Sequence, residues 1–336
     1  MDLSKLGPKW DQQFLNIWES AIGFYRIWII HLGRRYGLFG LFEHNQEPIS
    51  GDELAVSSGL AKEPVSTWCD AAHSLGLLRK RGKKYFMPRK LAPLLYYEND
   101  IRFIGGLASY LALRSLNYDL FDDLFRKGEV PKSQKYLGDA FREGTLWDHT
   151  AFIKLILPKE VKLHRRLQSG ARVIDIGSGS GNWSLKLAKE FPNSSFLGID
   201  PDADAINKGR RYAIEQGLNN IKFDVATAES IKISREFNIA YIGEVLYVIK
   251  DRIGLLKGCY KALKHDGILV VCEGLLNNNV ENEDKIARAM QLDFALQGGE
   301  FFTKRRLKEM LRTSGFVQSK FYHVGGGLWF AIAQKK

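Results

Sequence analysis

Cysteine is scarce in this chain, and that scarcity removes several classes of protein at once. Of 336 residues only Cys69, Cys259 and Cys272 are cysteine. They form no CxxC pair and no metal-ligand spacing, and an odd count does not build a disulfide framework. No metal is therefore expected, and a reducing cytoplasm is the simplest setting. Long hydrophobic runs are missing too. The most apolar stretch, "IWESAIGFYRIWII", is interrupted by Glu19 and Arg26 and is too short to span a bilayer. The opening "MDLSKLGPKWDQQF" lacks the basic region and apolar core of a secretory signal. Repeats and low-complexity tracts are absent as well. What is present is 45% hydrophobic and 12% aromatic residues, enough for packed cores in a chain long enough for two domains. The expectation is a soluble protein without a membrane span.

The net charge of +11 raises the question of an anionic partner. Residues 1–150 hold 20 basic against 18 acidic side chains and residues 151–336 hold 29 against 20, so the excess lies in the second half. One dense cluster, "RKRGKKYFMPRK" at 79–90, lies in the first half and reads either as a solvated hairpin or as a phosphate contact.

From about 12 to 42, Phe14, Ile17, Trp18, Ile22, Tyr25, Ile29 and Leu32 fall at helical spacing, with further aromatics between them. A face this broad needs burial on more than one side, as in a dimer interface. Next, Ser-Gly-Asp-Glu precedes a short helix, "SSGLAKEP" turns into a second, and "LGLLRKRGKKYFMP" reads as two strands around Gly82. Helix, turn, helix and wing make a winged helix. Its second helix carries Val65, Trp68, Cys69, Ala71, Ala72 and Leu75, which suit packing rather than base readout. Residues 1–100 are thus expected to be a helical and winged-helix domain and 101–168 a connecting helical segment. From 169 to 336 short apolar runs alternate with amphipathic helices, the pattern of a parallel α/β sheet.

The stretch "VIDIGSGSGNWSLKLAKEF" reads as strand, glycine turn and helix, with Gly177, Gly179 and Gly181 letting the backbone approach a ligand and present its amides. A pyrophosphate-binding turn would read GxGxxG, and here Asp175 also stands two residues ahead, where a carboxylate repels a pyrophosphate but accepts bonds from an ammonium. Asp200, in "FLGIDPD", ends the next strand, where it can accept both ribose hydroxyls. A ligand with a cationic end and a free ribose fits both acids. S-adenosylmethionine has both features and no pyrophosphate.

With these motifs, "LKHDGILVVCEG" and the closing "GGGLWFAIAQKK", residues 170–336 resemble a class I S-adenosylmethionine-dependent methyltransferase. The winged helix and "LQGGEFFTKRRLKEMLRTSGF" make the whole chain similar to small-molecule O-methyltransferases in which the winged helix dimerises and covers the partner's active site. The resemblance implies a Rossmann-like seven-stranded sheet behind a winged-helix dimerisation domain, a small-molecule acceptor and a homodimer. It places the cofactor on Asp175, Gly177, Ser178, Gly179, Gly181, Asp200, Pro201, Thr227, Ala228 and Gly243. Thr227 stands where the family has an adenine-side Asp, and Asp224 is an alternative. Phe152, Met290, Asp293 and Phe294 are implied as walls of the acceptor pocket.

In the family the loop after the fourth strand reads VLHDW, and its His takes the proton from the acceptor. Here "VLYVIKD" puts Tyr247 in that place, and a phenol with a pKa of about 10 is a poor base at neutral pH. Three readings stay open. Another group, Glu244, Glu273 or His149, is the base. Or the nucleophile is reactive enough to need none, Tyr247 shaping its site and positioning supplying on the order of 7–11 kcal/mol. Or the fold binds the cofactor without methylating. A rival from another class is a winged-helix nucleic-acid binder with a cofactor-sensing domain.

Overall fold

This computed structural model describes residues 8–45, 47–227, 234–277 and 285–336. The chain up to Leu116 makes one compact unit with Asp139–Trp147, and Asn117–Gly138 make the other with Asp148–Lys336. The stretch 101–168 is therefore shared between the two units.

The first unit holds α1 (Pro8–Arg35), α2 (Leu38–His44), α3 (Gly51–Ser58), α4 (Lys62–Ser74), β1 (Arg79–Arg81), β2 (Lys84–Phe86), α5 (Ala92–Leu95) and α6 (Gly105–Ser115). Helix α3 starts where it does because Ser50 caps it: the Ser50 hydroxyl accepts from the Glu53 amide and the Glu53 carboxylate accepts from the Ser50 amide. Val65, Trp68, Cys69 and Ala72 form the buried face of α4, packed with Phe39, Phe42, Leu54 and Leu78. The Trp68 indole N–H donates to the Ile29 carbonyl at 2.9 Å, so this large ring enters the core without an unmet polar atom. The second helix of the motif thus spends its apolar side chains on packing. Strands β1 and β2 pair antiparallel from Arg79↔Phe86 to Arg81↔Lys84 around Gly82, whose φ of 61° is left-handed. Lys80 pairs with Asp70 and Lys84 with Glu53, each at 3.0 Å, so part of the wing's charge is answered by carboxylates of its own domain.

Past α6, α7 (Phe121–Lys127) lies in the second unit and α8 (Leu137–Gly144) largely in the first. Helix α9 (Leu146–Ala151) begins in the first unit and passes into the second at Asp148, where one π turn over Phe152–Ile156 and α10 (Val161–Ser169) follow. There follow β3 (Arg172–Ile176), α11 (Asn182–Glu190), β4 (Ser195–Asp200), α12 (Ala203–Glu215), β5 (Ile221–Val225), β6 (Phe237–Gly243) and α13 (Arg252–Ala262). The chain closes with β7 (Leu263–Leu276), α14 (Lys285–Ala295), β8 (Phe302–Thr303), α15 (Lys304–Thr313), β9 (Gln318–Gly325) and β10 (Leu328–Gln334).

The main sheet runs β5-β4-β3-β6-β7-β10-β9, and β8 adds a short pairing on β7. Strands β3 to β7 are mutually parallel, and β10 runs antiparallel to both β7 and β9. The seven expected strands are all present. Their near-continuous burial, as in Val173–Ile176 and Ile239–Ile242, is what a sheet covered on both faces demands. Strand order reverses between β3 and β6, and a crevice forms at the carboxyl ends of such a pair. Asp175, Asp200, Gly243 and Glu273 all lie at or near those ends. Among the described residues no helix is long and apolar enough to cross a membrane.

Candidate active site

The turn between β3 and α11 is shaped by three left-handed glycines, Gly177, Gly179 and Gly181, with φ of 72°, 53° and 80°. Two are also hemmed in. A Cβ on Gly177 would come within 2.3 Å of Val245 Cγ2, and one on Gly181 within 2.2 Å of the Phe223 ring. A Cβ on Gly179 would meet no heavy atom within 4 Å, so that side of its backbone opens onto free space. Its N–H donates to Asp200 Oδ2 at 2.9 Å, and the Asp202 N–H donates to Oδ1 at the same distance. Burial raises the Asp200 pKa while those two amides pull it down. The glycine turn and the end of β4 are thereby tied into one rim. Pro201 and Thr227 lie exposed at this edge, Asp224 points outward towards Arg210, and Ala228 falls outside the described residues.

Asp175 sits beneath the turn. Its carboxylate is buried and accepts from the Ser184 hydroxyl of α11, and burial pushes its pKa up to about 7. Beside it, Trp183 stacks on Tyr241 with centroids 3.8 Å apart and planes 7° from parallel, and Phe152 packs on both rings and on Phe330. Phe152 is therefore an interior ring here. Gly243 accommodates the same tyrosine: a Cβ there would lie 2.5 Å from the Tyr241 hydroxyl oxygen.

The loop after β6 is held from below by Glu273. This fully buried carboxylate accepts from the Val245 and Leu246 amides through Oε1, at 2.9 and 2.6 Å. Burial still pushes its pKa up to about 8, with the two amides and Arg252 opposing. Arg252 clamps the loop from the other side, its guanidinium donating to the carbonyls of Leu246 and Tyr247. Tyr247 is only 3% exposed and lies edge-on to Phe294, with Phe301 next to both. Met290, Asp293 and Phe294 share one face of α14 by their i, i+3, i+4 spacing, and Asp293 and Phe294 are buried.

Glu244 takes a left-handed backbone, φ 56°, at the tip of β6. One carboxyl oxygen each of Asp148 and Glu244 and the Cys272 sulfur all lie within 4.8 Å of one another. Burial, then Glu273 and Asp148, drive the Glu244 pKa well above its ordinary value, and burial lifts Asp148 to about 7. His149, adjacent in sequence, is buried and held near a pKa of about 3 by burial and Lys186, so it is neutral at physiological pH. Of the four residues expected to do chemistry, Glu244 and Glu273 come together, while Tyr247 and His149 are packed into their own surroundings. Sequence reasoning missed Asp148, Tyr241, Trp183 and Arg252. Asp148 is the neighbour of His149, but nothing in a helical "LWDHTAF" says which side chain turns towards β6.

Four buried polar atoms around this crevice have no hydrogen-bond partner among the described residues: Ser178 Oγ, Trp183 Nε1, Glu244 Oε1 and Glu273 Oε2. Buried polar atoms are rarely left so, and unmet ones gathered at strand ends mark where a polar ligand completes the structure. Ribose hydroxyls suit the Asp200 rim, and an ammonium and a sulfonium suit the acids of β3 and β6. S-adenosylmethionine fits this donor and acceptor set. Residues 167–315 match the family model described as a methyltransferase domain.

Residues 167–315 are thus similar to a methyltransferase domain.

An indole glucosinolate O-methyltransferase of Arabidopsis thaliana is 23% identical to this chain over 247 residues, covering 67% of the chain and 64% of the relative's length. A demethylmenaquinone methyltransferase of Listeria monocytogenes is 25% identical over 189 residues, covering 50% of the chain and 79% of the relative. The crystal structure of human N-acetylserotonin methyltransferase with S-adenosylmethionine superimposes with a TM-score of 0.72 at 18% identity, covering 96% of this chain and 98% of that one. The fold is that of the class I methyltransferases with a helical N-terminal region, as the resemblance implied.

Proposed function

We propose that this protein transfers the methyl group of S-adenosylmethionine to a small, aromatic or largely apolar acceptor. The observation that carries the reading is the rim in which Gly179 opens to free space while its amide is fixed by Asp200, over the orphaned Ser178 hydroxyl. Asp200 and Pro201 then hold the ribose side, Thr227 and Ala228 the adenine side, and Asp175 with Gly177–Gly181 the methionine side. When bound, the cofactor supplies an electrophilic methyl on a cationic sulfur. The acceptor rests against Met290, Asp293 and Phe294 and the ring of Tyr247, whose aromatic packing suits a wall better than a base.

The acceptor is an oxygen, carbon or nitrogen nucleophile whose proton, where it has one, passes to the acidic group that includes Glu244. Glu273 serves by fixing the loop, and His149 supports the helix that carries Asp148. A homodimer forms through α1, which leaves Ile17, Trp18, Phe24 and Tyr25 between 50% and 74% exposed. These four repeat at seven-residue intervals, 17 with 24 and 18 with 25, as in a helix–helix seam. The three free, buried thiols suit a reducing cytoplasm.

Calorimetry with S-adenosylmethionine and S-adenosylhomocysteine tests the cofactor, and absence of binding by both sinks the proposal. Incubation with methyl-labelled cofactor and a host metabolite extract tests transfer. Binding without any labelled product would favour a fold that senses the cofactor.

A further inference from the structure

Asp148 and Glu244 reach the same point from different elements, α9 and the tip of β6. Their carboxyl oxygens and the Cys272 sulfur lie within 4.8 Å of one another. Glu244 is kept there by its backbone: its N–H donates to the Cys272 carbonyl at 2.8 Å, and the left-handed φ turns its side chain off the strand. The next residue, Val245, packs against Gly177 of the glycine turn, so the acids stand beside the methionine end of the proposed cofactor site.

The surroundings of the pair are short of cations. Glu273 and Cys272 face it from β7, and the Tyr241 hydroxyl, hydrogen-bonded to Cys272, faces it from β6. Among the described residues two cations stand in the neighbourhood: Arg252, which acts on Glu273 and already donates to loop carbonyls, and Lys186 of α11, which acts on His149 and donates to the Thr150 hydroxyl. Glu244 Oε1 and the fully buried Glu273 Oε2 have no hydrogen-bond partner among the described residues. Carboxyls this close, with both cations already engaged, cannot all ionise. A bound positive charge changes that balance.

We propose that Asp148 and Glu244 act as one proton-sharing pair that releases a proton when a sulfonium binds beside it and regains one from the acceptor as the methyl leaves. This inference rests on the methyltransferase reading above. Before binding, the pair keeps a proton because two close carboxylates repel. With a cation alongside, the pair gives that proton to solvent and becomes the base that Tyr247 is not. On transfer, the carbon–sulfur electron pair returns to sulfur and the acceptor's electron pair forms the new bond to carbon. The acceptor's proton goes to the pair. Sulfonium plus carboxylate become thioether plus carboxylic acid, so charge is conserved and no further reagent is needed. The order also times the base: it is active only while a transferable methyl is present.

The test needs no acceptor. Binding heats of S-adenosylmethionine and S-adenosylhomocysteine to the full chain at pH 7 are measured in two buffers of different ionisation enthalpy. Both ligands carry the same ammonium and ribose, so Asp175 and Asp200 contribute equally and the difference reports the sulfonium. The expected result is roughly one more proton released with S-adenosylmethionine than with S-adenosylhomocysteine, a difference lost in Asp148→Asn and in Glu244→Gln. Equal proton exchange by the two ligands in the wild type overturns the pair, and so does a difference that survives both substitutions. Failure of both ligands to bind overturns the methyltransferase reading instead. The wild-type comparison stands even if a variant does not fold.

Discussion

Val245 occupies the space that any side chain on Gly177 would need: a Cβ at 177 would lie 2.3 Å from Val245 Cγ2. The glycine turn after β3 and the loop after β6 are therefore one packed unit, and their spacing is set by the absence of a single carbon. Gly177→Ala must displace Val245 and also carry a left-handed φ, a strain of about 1–3 kcal/mol. The expected outcome is at least tenfold weaker binding of S-adenosylhomocysteine, partly restored by adding Val245→Ala. Calorimetry on the two variants decides it, and full affinity in the single variant would contradict the contact.

Asp200 offers a second handle. Its carboxylate accepts from two backbone amides in this structure, and the same oxygens are the proposed ribose acceptors. Hydrogen bonds to a charged group are worth about 1.5–3 kcal/mol, so Asp200→Ala should weaken S-adenosylmethionine binding roughly tenfold to a hundredfold. Asp200→Asn should fall between. Unchanged affinity in the alanine variant would move the ribose elsewhere.

The motifs of this rim, and the cap of α3 in the first unit, were legible in the sequence because each obeys a local rule. Glycines that need positive φ, an acid that ends a strand and a Ser-x-x-Glu cap can be read without knowing the fold. The strands were equally clear, since a doubly covered sheet writes itself as short apolar runs. Asp148 was not legible: it meets Glu244 across 96 residues of chain, and only the packing within the second unit brings them together. Phe152 shows the converse. An aromatic at the right place in the chain was expected at the acceptor pocket, yet its ring closes a buried cluster with Trp183, Tyr241 and Phe330. Burial direction on a helix is a tertiary fact.

Stability should depend on pH with an unusual sign. Asp148, Asp175 and Glu273 have folded pKa values raised to about 7, 7 and 8 from 3.8, 3.8 and 4.5. Between the unfolded and folded values the native state holds more protons, so stability falls as pH rises through that range. His149, lowered to about 3 from 6.5, works oppositely, but only below 6.5. The ligand-free protein should therefore lose melting temperature between pH 6.5 and 8, and Glu273→Gln should flatten the slope. A melting temperature that rises across this window would refute the assignment.

Helix α1 predicts an oligomer. Trp18 and Tyr25 lie seven residues apart and are 57% and 67% exposed. Trp18→Lys with Tyr25→Glu should convert a dimer into a monomer in sedimentation experiments, with circular dichroism unchanged. A wild type that sediments as a monomer at micromolar concentration would remove the dimer.

Glu244 is a carboxylate on a backbone better suited to glycine. Its φ of 56° strains any side chain there, and its charge is costly where it sits. Glu244→Gly should thus make the folded protein sturdier, relieving both costs at once. A search for heat-resistant variants that ignored turnover would be drawn to this position early and would discard the group on which the chemistry is proposed to turn.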